Sequence, residues 1–234
     1  DEPEPKVLYD ALIHAREPQA MATVIYFMYY LLENYPNNQE VRYLVNNREM
    51  YFVPVVNPDG YEYNRQTLPN GGGNWRKNRR MIGATVYGVD LNRNYGYQWG
   101  YDNIGSSNDP SSETYRGSSG FSEPETQVIR DFAIQKKFGT YINYHSYNNS
   151  IIYPWGYINL QTPDSVRYSE YASQMAGFNL YTYGTSFQTL GYNSNGTARD
   201  WMYGEQNAKP KIFGYVFEVG TSTDGFWPAQ NRII

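Results

Sequence analysis

Five short apolar runs punctuate the chain: residues 7–13 (VLYDALI), 50–56 (MYFVPVV), 140–145 (TYINYH), 151–153 (IIY) and 212–219 (IFGYVFEV). Runs of this length, bounded by turn residues, predict buried strands. Between the first two, Met21, Val24, Ile25, Met28, Leu31 and Leu32 recur at helical spacing. Pro18 suits a first helical position and Tyr35-Pro36 a stop, so a helix is expected there. Asn57-Pro58-Asp59-Gly60 reads as a turn closing the second strand. Ser122 with Glu125 resembles a capping box opening a helix of about 14 residues, with Val128, Phe132 and Ile134 as its apolar positions. A further helix is expected near 163–177. From 64 to 120 the chain is rich in Gly, Asn, Ser and Arg and shows little periodicity, and long irregular stretches inside a domain are usually functional. Strands alternating with helices predict an α/β fold: a mixed, mostly parallel twisted sheet with helices on both faces.

Composition narrows the function. The 234 residues form one expected domain, with no repeat period or low-complexity tract. A formal charge of -4 argues against a nucleic-acid binder, which would normally present a basic face. Mean hydropathy is -0.71 and no apolar run approaches the roughly 18 residues of a membrane span, so no membrane insertion is expected. The chain has no cysteine, which removes disulfides and thiolate metal sites. No leader-like segment opens it, so a signal peptide is expected to have been removed or never present. Few Lys beside abundant Tyr, Asn, Gly and Ser lean towards a secreted, extracellular or periplasmic protein.

The two histidines carry the most information. His14 follows the first strand in His14-Ala15-Arg16-Glu17, where residues three apart can face one way on a turn, and His145 closes the strand Tyr141-Ile142-Asn143-Tyr144-His145. Ligands of α/β sheets collect beyond the carboxyl ends of strands. Two imidazoles and a carboxylate converging there would leave a fourth tetrahedral position open, as catalytic zinc requires. Taken alone, each histidine reads equally as structural, hydrogen-bonded within a turn. Arginines cluster in 74–80 (NWRKNRR) and 90–94 (DLNRN), and Glu218 ends a mostly apolar strand, where a carboxylate needs a partner.

Together these segments resemble the zinc metallocarboxypeptidases of the carboxypeptidase A and T type. The ordered motifs are HARE, NPDG, WRKNR, GVDLNRNY, SSETYRG, SEPET, HSY, YPWGY, a tyrosine eight residues before DW, and FE, and the bacterial carboxypeptidase T branch looks most similar. The resemblance implies one Zn2+ held by His14, Glu17 and His145, a ligand set for which carboxypeptidase A is a standard example. It implies that Asp90 accepts the other N–H of His14. Asn92 and Arg93 would hold the substrate's terminal carboxylate, Arg76 would stabilise the oxyanion, and Glu218 would be the general base. Tyr192 would cover the bound carboxylate, while Arg16 and Tyr147 would line the cleft upstream of the cleaved bond. Cis peptides are implied at Ser146–Tyr147 and Pro154–Trp155. The expected partners are peptide or protein C-termini, met by a monomer.

Two features depart from the family pattern. The family domain has additional N-terminal strands and a C-terminal helix that this sequence lacks, so residues 1–234 read as a single catalytic domain trimmed at both ends. Arg199 stands where the resemblance puts the floor of the pocket for the C-terminal side chain, which implies a preference for Glu or Asp. Alternatively Arg199 turns away and pairs with Asp200 or with solvent, leaving a pocket shaped by Gly191, Ser194, Thr197, Ala198 and Val216. Competing functions are a murein-peptide or amidated-amino-acid zinc hydrolase, or an inactive binding module that keeps the pocket.

Overall fold

In the computed structural model, which describes residues 4–232, the strands run in the order β2-β1-β3-β6-β4-β5. Here β1 is Lys6–Ala11, β2 Glu49–Val53, β3 Thr140–His145, β4 Ser150–Ile152, β5 Thr182–Gly184 and β6 Phe213–Glu218. All neighbours are parallel except β4 with β6, so the sheet is mixed and mostly parallel, as expected.

Alternation along the strands sorts side chains between two covered faces. The register pairs Leu8 with Tyr141, Asp10 with Asn143, and His145 with Glu218, so these six residues share a face. Helices α4 (Pro124–Lys136) and α7 (Ala198–Gly204) cover it, burying Ile129, Ala133, Trp201 and Met202 against Leu8 and Tyr141. On the opposite face α1 (Pro18–Asn34) packs Ala20 and Val24 onto Ala11, Phe52 and Tyr144. There α5 (Ser165–Asn179) also sets Tyr168, Ala172 and Ala176 against Ile151 and Tyr215. Each large apolar side chain so buried contributes roughly 1.5–3 kcal/mol. No helix among the described residues is long and apolar enough to cross a membrane.

Several local expectations change. Asn57-Pro58-Asp59-Gly60 opens helix α3 (Pro58–Thr67) instead of forming a simple turn. Asn57 is its N-cap, accepting from the Gly60 N–H at 3.0 Å, and Pro58 takes the first helical position. The box expected at Ser122 does not form. Glu123 is the N-cap residue of α4, and the Ser122 hydroxyl donates to the Glu123 carboxylate at 2.6 Å. Val128 lies on the solvent side, because Thr126, Ile129 and Ala133 form the buried stripe. Helices α2 (Gln39–Asn47) and α6 (Ser186–Leu190), together with α7 and β5, were not anticipated from the pattern.

Candidate active site

At the end of β1 the chain leaves the sheet through Leu12, at φ 55°, and enters the turn carrying His14 and Glu17. Helix α3 holds that turn by amide side chains. Asn57 donates to the carbonyls of Ile13 and Lys77, both at 3.1 Å, and Asn64 donates to those of Ala15 (3.1 Å) and Trp75 (2.9 Å). The approach is close enough that a Cβ on Gly60 would meet the Lys77 carbonyl oxygen at 2.6 Å and the Ala15 Cβ at 2.7 Å. The helix that replaced the expected turn is therefore the brace of the site.

His14, Glu17 and His145 converge, each offering one ligand atom within 4.8 Å of the others. His14 Nδ1 lies 2.9 Å from Glu17 Oε1, His145 Nδ1 2.9 Å from Glu17 Oε2, and the two Nδ1 atoms are 3.1 Å apart. Tetrahedral zinc with bonds of about 2.0–2.1 Å sets its ligands about 3.3 Å apart, so the cluster is closed to nearly that spacing. Both rings turn Nδ1 inward and satisfy Nε2 elsewhere, as metal-binding imidazoles do. Burial is the main cause that takes the His145 pKa down to about 4, against the pull of the Glu17 carboxylate. Burial opposes ionisation of Glu17, but the two histidines outweigh it and hold that carboxyl well below the usual range. The donor set fits Zn2+.

The irregular segment supplies the surrounding groups. Asp90 is fully buried, and its Oδ1 faces His14 Nε2 at 3.2 Å. Its Oδ2 accepts from Arg76 Nε (3.1 Å) and Nη2 (2.9 Å), so most of the Arg76 fork is engaged there, with Nη1 3.9 Å from Glu17. Asn92 and Arg93 sit in a 3-10 turn (Leu91–Arg93) capped by Asp90, which accepts from the Asn92 N–H at 3.0 Å. Arg93 donates to the Asn92 carbonyl at 2.8 Å, while its buried Nε has no protein partner among the described residues.

His14, Glu17, His145, Arg76, Asn92 and Arg93 line one cleft of about 340 Å³ with Tyr192, Arg199, Arg16, Tyr147 and Glu218, while Asp90 lies behind them. Glu218 faces it from the end of β6, and burial together with the Glu17 carboxylate pushes its pKa upward. Tyr192 is 54% exposed at the rim. Arg16 lies over the Phe226 ring, 4.2 Å from its centroid, and Tyr147 packs on the same ring at 4.9 Å. Both Ser146–Tyr147 and Pro154–Trp155 are cis.

Arg199 remains in the cleft, 3% exposed. Its Nη2 donates to Ser186 Oγ and to Ser194 Oγ (3.2 Å), and its Nε, 3.7 Å from Asp200, has no hydrogen-bond partner. Asp200 is instead satisfied by the N–H groups of Gly156 (2.9 Å) and Tyr157 (3.0 Å). Of the small-pocket alternative, only Ser194 and Val216 line the cleft; Thr197 caps α7.

Sequence reasoning missed Phe226, Ser186, Asp10 and Asn143. Asn143 stands two residues before His145 on one strand face, a signal the strand period contained. Phe226 lies in an irregular tail and gave none.

A cluster of this kind, at the carboxyl ends of parallel strands in a mixed sheet and beside an irregular arginine-bearing segment, defines an α/β protein with a cleft whose residues could hold one metal ion. The zinc carboxypeptidase family profile matches residues 1–234, and the chain belongs to that family. It is 34% identical to zinc carboxypeptidase A 1 of Anopheles gambiae over 98% of this chain and 53% of that protein. It is 32% identical to carboxypeptidase O of Bos taurus, over 99% and 61% respectively. Bovine thrombin-activatable fibrinolysis inhibitor, solved in complex with tick carboxypeptidase inhibitor, superposes with a TM-score of 0.84 at 30% identity, covering 98% of this chain and 76% of that one. The chain thus spans between about half and three-fifths of the length of these two curated relatives.

Proposed function

We propose that this chain is the catalytic domain of a monomeric, exported zinc carboxypeptidase that releases single residues from peptide C-termini. The carrying observation is that His14, Glu17, His145, Arg93 and Glu218 face one cleft. Zinc, when bound, supplies a Lewis acid for the scissile carbonyl and the attacking water. Arg93, with its free Nε, and Asn92 receive the substrate's terminal carboxylate. Arg76 Nη1 points a positive charge at the oxyanion. Glu218 accepts a proton from the attacking water and returns it to the leaving amine. Tyr192 at the rim covers the bound end. Titration of the metal-free protein is expected to show one zinc per chain, and the loaded protein to release C-terminal residues but none from peptides with amidated ends. Absence of zinc binding, or equal cleavage of amidated ends, rejects the reading.

Within this reading Arg199 selects acidic side chains. It is buried, faces the cleft and, with Asp200 at 3.7 Å, has an Nε without a hydrogen-bond partner among the described residues, so an acidic side chain would add a charge-assisted hydrogen bond that an apolar or cationic one cannot. A charge-assisted hydrogen bond is worth about 1.5–3 kcal/mol, or roughly 10–100-fold in kcat/KM. Peptides ending in Glu are expected to be preferred over those ending in Leu or Lys by that factor. Arg199→Ala should erase the preference while leaving zinc binding intact. An unchanged ranking in the variant removes Arg199 as the selector.

A further inference from the structure

We propose that Asp10 is a positioning residue for the metal site, acting through Asn143 to fix His145 with its proton on Nε2 and its lone pair on Nδ1. Asp10 lies on β1 beneath the cleft and is 0% exposed. The register sets it directly beside Asn143, and both project from the face that carries His145. Its Oδ1 accepts from Asn143 Nδ2 at 2.7 Å and its Oδ2 accepts from the Tyr141 hydroxyl at 2.9 Å.

The proton placement follows from donor and acceptor chemistry. Asp10 Oδ1 can only accept, so Asn143 must present its NH2 group downward. Its carbonyl then points up, 2.5 Å from His145 Nε2. A carbonyl has no hydrogen to give, so Nε2 must carry one. With a cation in the cluster the lone pair is left on Nδ1, which faces Glu17 Oε2 at 2.9 Å and His14 Nδ1 at 3.1 Å; without one, the Glu17 carboxylate competes for a proton on Nδ1. Asn92 argues the other way. Its Oδ1 accepts from the Ala198 N–H at 3.0 Å, which turns its NH2 group towards the same Nε2 at 3.2 Å. The contact at 2.5 Å outweighs the one at 3.2 Å, and the Asn92 amide is left able to donate into the cleft.

The two ligand rings are thus held by the same logic at different reach. His14 meets the carboxylate of Asp90 directly, whereas His145 meets Asp10 through one intervening amide. A carboxyl without an ionic partner is costly at a position this deep, and apolar packing would fill the space more cheaply. Burial pushes the Asp10 carboxyl up to about 7. A proton bound there would sit on Oδ2 towards Tyr141, so Oδ1 accepts from Asn143 in either state.

The inference rests on reading the cluster as a zinc site, and a two-part experiment separates them. The chain has only two histidines, so labelling with 15N-histidine gives four ring nitrogens whose protonation is read directly by NMR. In the zinc-loaded protein His145 is expected to carry its proton on Nε2 and to face the metal with Nδ1, and Asn143→Leu to speed exchange of that Nε2 proton at least about tenfold. Zinc affinity, measured by chelator competition, should fall about 10–100-fold in Asn143→Leu and in Asp10→Leu. The exchanged pair Asp10→Asn with Asn143→Asp keeps an acceptor at Nε2 and a donor beneath it, so it should bind within about threefold of wild type. Circular dichroism of the metal-free proteins checks the fold. Should either leucine variant fail to fold, the exchanged pair decides alone. The relay is overturned by zinc ligation through Nε2 in wild type, by a folded leucine variant with wild-type exchange of the Nε2 proton and wild-type affinity, or by an exchanged pair weakened tenfold or more. Failure of wild type to bind zinc would sink the metal reading, whereas tight binding by wild type with unchanged affinity in the folded leucine variants would sink the relay alone.

Discussion

Glu218→Gln is expected to lower kcat by about 10²–10⁴-fold, with KM and zinc content close to wild type. Glu218 ends β6 in register with the ligand His145 and opens into the cleft. Burial and the neighbouring Glu17 carboxylate raise its pKa, which moves it towards the neutral range where a base both holds and releases a proton. Glutamine keeps the volume and one acceptor but cannot take a proton, so the loss should fall on the chemical step. Steady-state hydrolysis of peptides, with metal analysis of the same samples, checks this. A variant retaining more than a tenth of wild-type kcat would exclude Glu218 as the base.

Asp90→Ala is expected to destabilise the protein by about 3–5 kcal/mol, the usual cost of stranding the partner of a buried ion pair. Asp90 receives Arg76 through two hydrogen bonds, the Asn92 N–H, and His14 Nε2. Removing it leaves a buried guanidinium without its main anion and frees the His14 ring, so zinc affinity should also fall about 10–100-fold. The pH dependence has a definite sign. Burial opposes ionisation of Asp90, but Arg76, Arg93 and His14 outweigh it and hold the carboxyl well below its ordinary value. The stabilisation is therefore complete above the unfolded pKa near 3.9 and is lost as pH falls towards the lower folded value. Urea unfolding should show the gap between wild type and Asp90→Asn widest above about pH 5 and shrinking below about pH 4. A gap independent of pH would mean that the carboxylate charge contributes nothing.

Five of the six strands were legible because they are apolar runs of the right length, whereas the short, mostly exposed β5 was not; α1 was legible because six apolar positions keep helical spacing after Pro18. Helix α3 was not. Its residues, Pro58-Asp59-Gly60-Tyr61-Glu62-Tyr63-Asn64, offer little apolar periodicity, and the Asn-Pro pair that starts it is also a turn signal. What makes it a helix is the Asn57 cap and the close packing on Ala15 and Lys77, which are tertiary facts. The capping box failed for a related reason: the Ser122 hydroxyl is committed to Glu123 and to Asn94. In the cleft, the two histidines stood out because each closes a strand or opens a turn within a motif. Asp10 and Asn143 did not, since their partnership exists only in the register between strands far apart in sequence.

The parallel register of β1, β3 and β6 also governs when the cluster can exist. His14 and His145 are 131 positions apart, and every strand contact between them is non-local. Closing a loop of that length costs about 4 kcal/mol of chain entropy before any contact repays it. His14, Glu17 and His145 can therefore meet only where β3 lies beside β1. Without that pairing the chain brings together only the local pair of His14 and Glu17, so the complete three-residue cluster is a product of the non-local sheet.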